Sequence, residues 1–304
     1  MGYQLDFKNY YKSSKAVFQV PDLSKGFIPQ GLAYDANTDS FFVTGYMDHK
    51  ENSPIYVIDR KSGSLKNKIY MMTEKGEDFR GHAGGMSILG DSVYVAGSTD
   101  ACVYEFLISE VINSSNNRVN ASEKIGLKRC GDFIRVSFTS ADESLLYAGE
   151  FHKGFLFYTN KSHIIKQDKT KQKAYILGFK KNDKKEGIPE CVYSVPDCVQ
   201  GACFYKNHMF LSVSYGIWPS KIMTYSLSKI KQCGTKKVLG YDVPLYILNK
   251  ENVDKTTIIP PMSENIIVVN GEMYIIYEAA SNRYKIGKRM GLDKVYKTPI
   301  GFFE

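Results

Sequence analysis

Three glutamates, Glu150, Glu264 and Glu278, sit at the ends of apolar, strand-like runs: LLYAGEF, MSENIIVV and EMYIIYE. Carboxylates crowded into one cleft cannot all ionise, so their pKa values split and they can serve as general acid and general base. His82 belongs to the same group of candidates, because the glycines of GHAGGM allow close backbone approach beside it. Together these four are the catalytic candidates. Arg135, in FIRVSFTS, is the expected counter-charge. Gln30, Gln200, Asn265 and Asp48 would add polar contacts to a ligand, and Trp218, the only Trp, would add an aromatic wall. The oxygens of Glu150, Glu264, Glu278 and Asp48 are also of the kind that Ca²⁺ prefers, which makes a divalent cation the one cofactor the residues suggest. A plainer reading has the same side chains hydrating the mouth of a channel, with Arg135 paired to one glutamate.

Several chemistries are absent at the level of motif. The chain has no G-x-S-x-G, no P-loop, no HExxH and no EF-hand loop. Any catalysis would therefore be hydrolytic or lyase-like acid–base work without a nucleotide or redox cofactor.

These residues are positioned by a repeat. Five segments, IPQGLAYD (28–35), HAGGMSIL (82–89), FIRVSFTS (133–140), CVQGACFY (198–205) and MSENIIVV (262–269), each precede a polar turn and a second strand. Those partners are SFFVTGY, SVYVAGS, LLYAGEF, HMFLSVS and EMYIIYE. Aligned on the third residue, the units start at Gln30, Gly84, Arg135, Gln200 and Glu264, with spacings of 54, 51, 65 and 64 residues. Periods somewhat above 40 residues with four strands apiece are the mark of propeller blades, the two longer ones carrying loop insertions. The chain reads as an all-β, five-bladed β-propeller, with a six-bladed count the weaker alternative. A repeat running from residue 28 onward makes residues 1–304 one domain.

Blade 5 shows only one clear strand after its first two, near Val295–Pro299. Residues 15–21, KAVFQVP, precede the first blade and resemble VYSVPDC (192–198), so an N-terminal strand should complete the last blade and remove its free edge. The turns between first and second strands are short and bland (DANTDS, LGDS, SADES, YKNH, NGE), so function belongs on the opposite face. There the aligned starts converge with the second-strand ends Tyr46, Ser98, Glu150, Ser214 and Glu278. The insertion after Phe151, the SYGIWPS loop and the EAASNRYKIGKRMG loop would wall a pocket suited to a sugar or an anionic small molecule.

Composition narrows the partners. The net charge of +8 comes mostly from Lys, nine of them between Lys161 and Lys185. That cluster lacks interleaved Arg and aromatics and contains acids, as a solvated loop does; specific nucleic-acid binding is not expected. No apolar stretch is long enough to span a membrane. Six Cys show no metal-ligand spacing; Cys191 and Cys198 flank one strand–turn and would pair only in an exported protein. No signal-peptide pattern opens the chain, which leaves a cytoplasmic protein or a mature secreted or cell-surface domain; the Met1-Gly2 start favours the latter. A monomer is expected.

The phrases IPQGLAYD, IYVID, GHAGGMSI and PPMSENIIVVNGEMYIIYEAASNRY resemble those of uncharacterised bacterial propeller proteins, often exported. More distantly they look like the lactonase, strictosidine-synthase and surface-layer propeller group. The resemblance implies a divalent metal held around the channel, with Glu264 and Asn265 among its ligands, while Gln30 and Gly84 stand where acids would be wanted. Five-bladed glycosidases of the arabinanase type carry an Asp where this chain has Gln30. The expectation is a small-molecule- or carbohydrate-binding propeller with a polar mouth, whose carboxylates would also allow hydrolase or lyase chemistry on the ligand. The rival is a non-catalytic protein-interaction scaffold.

Overall fold

Five antiparallel sheets follow one another around a central axis in a computed structural model that describes residues 7–49, 51–167 and 170–304. Met1, Gly2 and Asp168 lie outside the described residues. Blade 1 runs outward through Phe27–Asp35, Ser40–Met47, Pro54–Asp59 and Leu65–Met72. Blade 2 comprises Ala83–Leu89, Ser92–Gly97, Cys102–Leu107 and Glu123–Gly126. Blade 3 comprises Val136–Ala141, Leu146–Glu150, Ala174–Lys181 and Gly187–Val195. Blade 4 comprises Val199–Tyr205, His208–Val213, Ser220–Ser226 and Lys255–Ile259. Blade 5 comprises Ser263–Val269, Glu272–Tyr277, Lys294–Pro299 and, from the other end of the chain, Lys15–Gln19.

The closure strand pairs antiparallel with the third strand of blade 5, matching Ala16 with Tyr296 and Phe18 with Val295. The five-bladed count and the N-terminal closure are thus both as the sequence indicates. Two insertions add strands beyond the basic four. Arg118–Asn120, from the third connection of blade 2, runs parallel to the outer strand of blade 1. The hairpin Gln232–Val238 and Tyr241–Ile247, from the third connection of blade 4, extends blade 3.

Local chemistry explains the elements. Each middle strand is apolar on both faces (Phe41, Phe42 and Val43 are fully buried) because it is pressed between neighbouring blades. The inner turns use groups that tolerate tight backbone: Asp35 accepts from the Thr38 amide at 2.9 Å, and Asn270-Gly271, both with positive φ, link Val269 to Glu272. The core is divided into five apolar clusters, one at each interface between adjacent blades. The cluster joining blade 5 to blade 1 contains Phe18 of the closure strand against Phe41, with ring centroids 5.4 Å apart. Among the described residues all six Cys are free thiols, Cys191 and Cys198 included. No described helix is long and apolar enough to cross a membrane.

Candidate functional site

Every innermost strand pairs with its neighbour regularly except at one place, where it carries one extra residue. The register breaks between Pro29 and Gly31, Ala83 and Met86, Val136 and Phe138, Val199 and Gly201, and Ser263 and Ile266. A β-bulge re-aims side chains that the ladder would otherwise fix. The bulged residues are Gln30, Gly84 with Gly85, Ser137, Gln200, and Glu264 with Asn265. The glycines of blade 2 are required by contact, since a Cβ on Gly84 would fall 1.9 Å from the Ser137 carbonyl oxygen. Five bulges at one level form the floor of the mouth.

On that floor Glu264 and Glu278 place their carboxyl groups within hydrogen-bonding reach of each other. Glu264 is buried, and Glu278, one residue past the end of its strand, is partly open. Gln200 Nε2 donates to Glu264 Oε1 at 3.1 Å, and Gln30 Nε2 donates to Glu278 Oε2 at 3.0 Å. Burial, then the neighbouring Glu278 charge, raises the Glu264 pKa well above the ordinary carboxylate range. Burial likewise pushes Glu278 up, to about 7, against the opposing pull of Gln30 and Arg283. Two carboxyls this close influence each other's ionisation, so the titration belongs to the pair.

The rim surrounds this pair with rings and one cation. Tyr46 lies against His82 with ring centroids 4.5 Å apart. Ser98 Oγ is 3.4 Å from His82 Nδ1. The His82 ring is open to solvent within the recess, and desolvation by the surrounding walls, with the charges of Arg135 and Arg283, lowers its pKa and keeps it neutral. Tyr284 neighbours both glutamates and Tyr46. Arg283 Nη1 lies 3.6 Å from Asp48 Oδ1, which holds the guanidinium over the mouth. Arg283 and Tyr284 belong to the loop after Glu278, whose basic and aromatic residues are visible in the sequence, although neither stands at a repeat position.

Several candidates are placed elsewhere. Arg135 makes no ion pair among the described residues. Its Nη1 donates to the Tyr158 carbonyl at 3.2 Å, and its guanidinium packs over Phe157 and Tyr158. The bulge of blade 3 falls at Ser137, two residues beyond the aligned Arg135, so Arg135 stands at the edge of the mouth. Glu150 is displaced for a related reason. It pairs across from Val136, as Tyr277 does from Ser263, so the residue equivalent to Glu278 is Phe151. A one-residue slip sends a side chain to the opposite face of a strand. Glu150 is accordingly fully buried and accepts from the amides of Arg135 and Tyr175 at 3.1 and 3.0 Å.

Glu150 also contacts His163, which the sequence does not single out. His163 Nδ1 lies 2.8 Å from Glu150 Oε2 and its Nε2 lies 3.0 Å from Asp132 Oδ1, while its ring stacks on Tyr175 at 4.3 Å. Burial alone would lower the His163 pKa, but the two carboxylates outweigh it and lift it to about 9. In this Glu–His–Asp cluster Glu150 and His163 are buried and Asp132 reaches the surface, and the cluster pins the long insertion of blade 3. Asn265 turns inward as well. Its Nδ2 donates to the carbonyls of Leu32 and Met86 at 2.8 and 2.7 Å, stapling blades 1, 2 and 5 across the axis. Beyond it, towards the opposite face, the inner strands line a cavity of about 190 Å³. Asp48 is exposed and engaged with Arg283, and Trp218 is exposed on its loop.

The pair does not fit a calcium site: Ca²⁺ takes six to eight oxygens, whereas both glutamine amides present N–H to the carboxyls. Among the described residues no group of three or more His, Cys, Asp or Glu side chains converges as metal ligands.

No protein-family model matches the sequence, and no curated protein matches it. Solved structures match by shape, and the neighbours are β-propellers. The PQQ-bound aldose sugar dehydrogenase of Streptomyces coelicolor is similar over 94% of this chain and 98% of its own, with 13% identity and a TM-score of 0.52. The glutaminyl cyclase of Myxococcus xanthus is similar over 86% and 90%, with 8% identity and a TM-score of 0.47. Hydrazine synthase of Kuenenia stuttgartiensis matches 82% of this chain, which spans 55% of that one, with 9% identity and a TM-score of 0.37. At these identities the likeness is one of fold alone.

Proposed function

We propose that the mouth binds a small polar molecule such as a sugar or a lactone, and that the Glu264–Glu278 pair acts on it by acid–base chemistry. The observation that carries this reading is the pair itself. Setting a buried carboxyl beside a half-buried one without a salt bridge to either is costly, and structural needs alone do not call for it. Gln30 and Gln200 hold the outer oxygens, which leaves a proton to be shared between the inner ones. In the proposed step one carboxylate accepts a proton from the substrate or from water, and its protonated partner delivers one to the departing oxygen. Neutral His82 and the Tyr46 and Tyr284 hydroxyls supply hydrogen bonds for orientation, and Arg283 favours a ligand bearing negative charge. The sequence resemblance to the lactonase group supports the substrate class and not its metal, so no step runs through a cation.

A screen of lactones, aryl glycosides and polyuronides, with and without Ca²⁺, tests the proposal. Activity abolished by Glu264→Gln and by Glu278→Gln supports it, and activity that survives both substitutions rejects the assignment. Binding without turnover, weakened by the same substitutions, would make the mouth a receptor site. The scaffold reading gains weight only if neither binding nor turnover is found and a protein partner is recovered.

A further inference from the structure

Exposed apolar side chains are concentrated at one place on this molecule. Of the ten exposed large apolar residues among those described, seven belong to two loops of adjacent blades. The insertion of blade 3 presents Phe155, Leu156 and Tyr158, and the corresponding loop of blade 4 presents Ile217 and Trp218. Phe155 is wholly exposed, and Leu156 and Trp218 are 76% and 72% exposed. The loops meet at their bases, where Phe151 approaches Tyr215 at 6.3 Å and Lys153 Nζ sits 4.8 Å above the Tyr215 ring. Each tip turns on a left-handed glycine, Gly154 or Gly216, with open space around the Cβ position. Apolar tips held this far into water are unusual in a protein that works alone in solution.

The surrounding charge is mainly basic, although the exposed Asp197 sits 3.6 Å from His152 at the base of the insertion. Lys153, Lys161, Lys166, Lys171 and Lys173 lie in the same insertion, and none forms an ion pair among the described residues. The acids beneath, Glu150 and Asp132, are taken up by His163. A second copy of the chain docking through the same patch would set lysines against lysines. A soluble polyanion would engage the lysines and leave Leu156 and Ile217 in water. An anionic lipid surface satisfies both features, since aromatic and aliphatic tips enter the headgroup region while lysines face the acidic headgroups.

We infer that these two loops dock the protein onto anionic membranes, with the mouth turned towards the lipid. The inference does not use the carboxyl pair, and its test is separate from any assay of turnover. Trp218 is the only tryptophan, so its emission reports the event directly. Vesicles of phosphatidylcholine containing one-third phosphatidylglycerol should shift that emission to the blue and sediment with the protein, whereas vesicles of phosphatidylcholine alone should do neither. Replacing Lys153 and Lys161 by Gln should weaken binding on the order of tenfold. Phe155→Ser with Leu156→Ser should abolish the shift without changing the melting temperature, because both side chains are exposed. Equal binding to the two vesicle types, no binding to either, or undiminished binding by the Ser variant would overturn the inference. So would a blue shift that arises without vesicles and disappears on dilution, which would assign the patch to self-association.

Discussion

Replacing Glu278 by Gln should stabilise the fold, and more so as pH rises. In the unfolded chain Glu278 titrates at its ordinary value of 4.5, whereas in the fold it is pushed up to about 7. A carboxyl whose folded pKa is raised costs nothing below the unfolded value. Its cost grows as pH climbs from 4.5 and levels off above 7, because the unfolded state releases the proton first. The full shift corresponds to about 3 kcal/mol at pH 8 and under about 1 kcal/mol at pH 5. Glu278 is partly open to solvent, so about half of that difference is expected. The amide keeps an oxygen for Gln30 and gains a donor for Glu264, so the substitution breaks no contact. At about 2 °C per kcal/mol for a chain of this size, the variant should melt a few degrees above the parent at pH 8 and nearly with it at pH 5. Melting curves of both proteins across that range decide the matter. A variant less stable at pH 8, or one whose offset does not change with pH, would mean that Glu278 is ionised and satisfied in the fold, which would refute the shared-proton argument.

Two further outcomes follow from other parts of the ring. Phe18→Ala should cost about 3–5 kcal/mol, because Phe18 fills the interface between blades 5 and 1; chemical denaturation would show it, and an unchanged midpoint would mean that the closure strand is dispensable. His163→Ala should cost a similar amount at pH 6 by stranding Glu150 and Asp132, and should speed proteolysis of the blade 3 insertion. Since the folded His163 pKa is raised to about 9, the charge-dependent part of its contribution is complete below about pH 6.5 and fades as pH rises through 9. A cost that does not shrink by pH 10 would place that contribution in packing instead.

Strand count, blade number and closure are legible in the sequence because they depend on pattern: apolar runs, turn residues and a period. The placement of Glu264, Gln30 and Gln200 on one floor is legible for the same reason, since each lies in a bulge at the same distance from its turn. Blade 3 defeats this logic. FIRVSFTS places an apolar residue at either alternation, so the position of the bulge cannot be read from it, and the strand pairing moves Arg135 and Glu150 off the mouth. Phe138 settles the register by filling the space over Gly149, where a Cβ would lie 1.9 Å from the ring. Nothing local in the sequence marks His163 as the partner of Glu150 and Asp132. Its role depends on where a long insertion folds back.

The closure strand also dictates an order of events. Blade 5 draws its outer strand from Lys15–Gln19 and its third from Lys294–Pro299, so it cannot be finished until nearly all the chain between them has been made. Glu264 and Glu278 both stand on this blade. During synthesis, blades 1 to 4 can assemble while the two carboxyls are still unmade or loose in water, each with its ordinary acidity. The burial that raises both of their pKa values is reached only at the last step, when the ring shuts. A molecule interrupted before that point would keep most of its sheet but would lack the apposed carboxyls that the proposed chemistry requires.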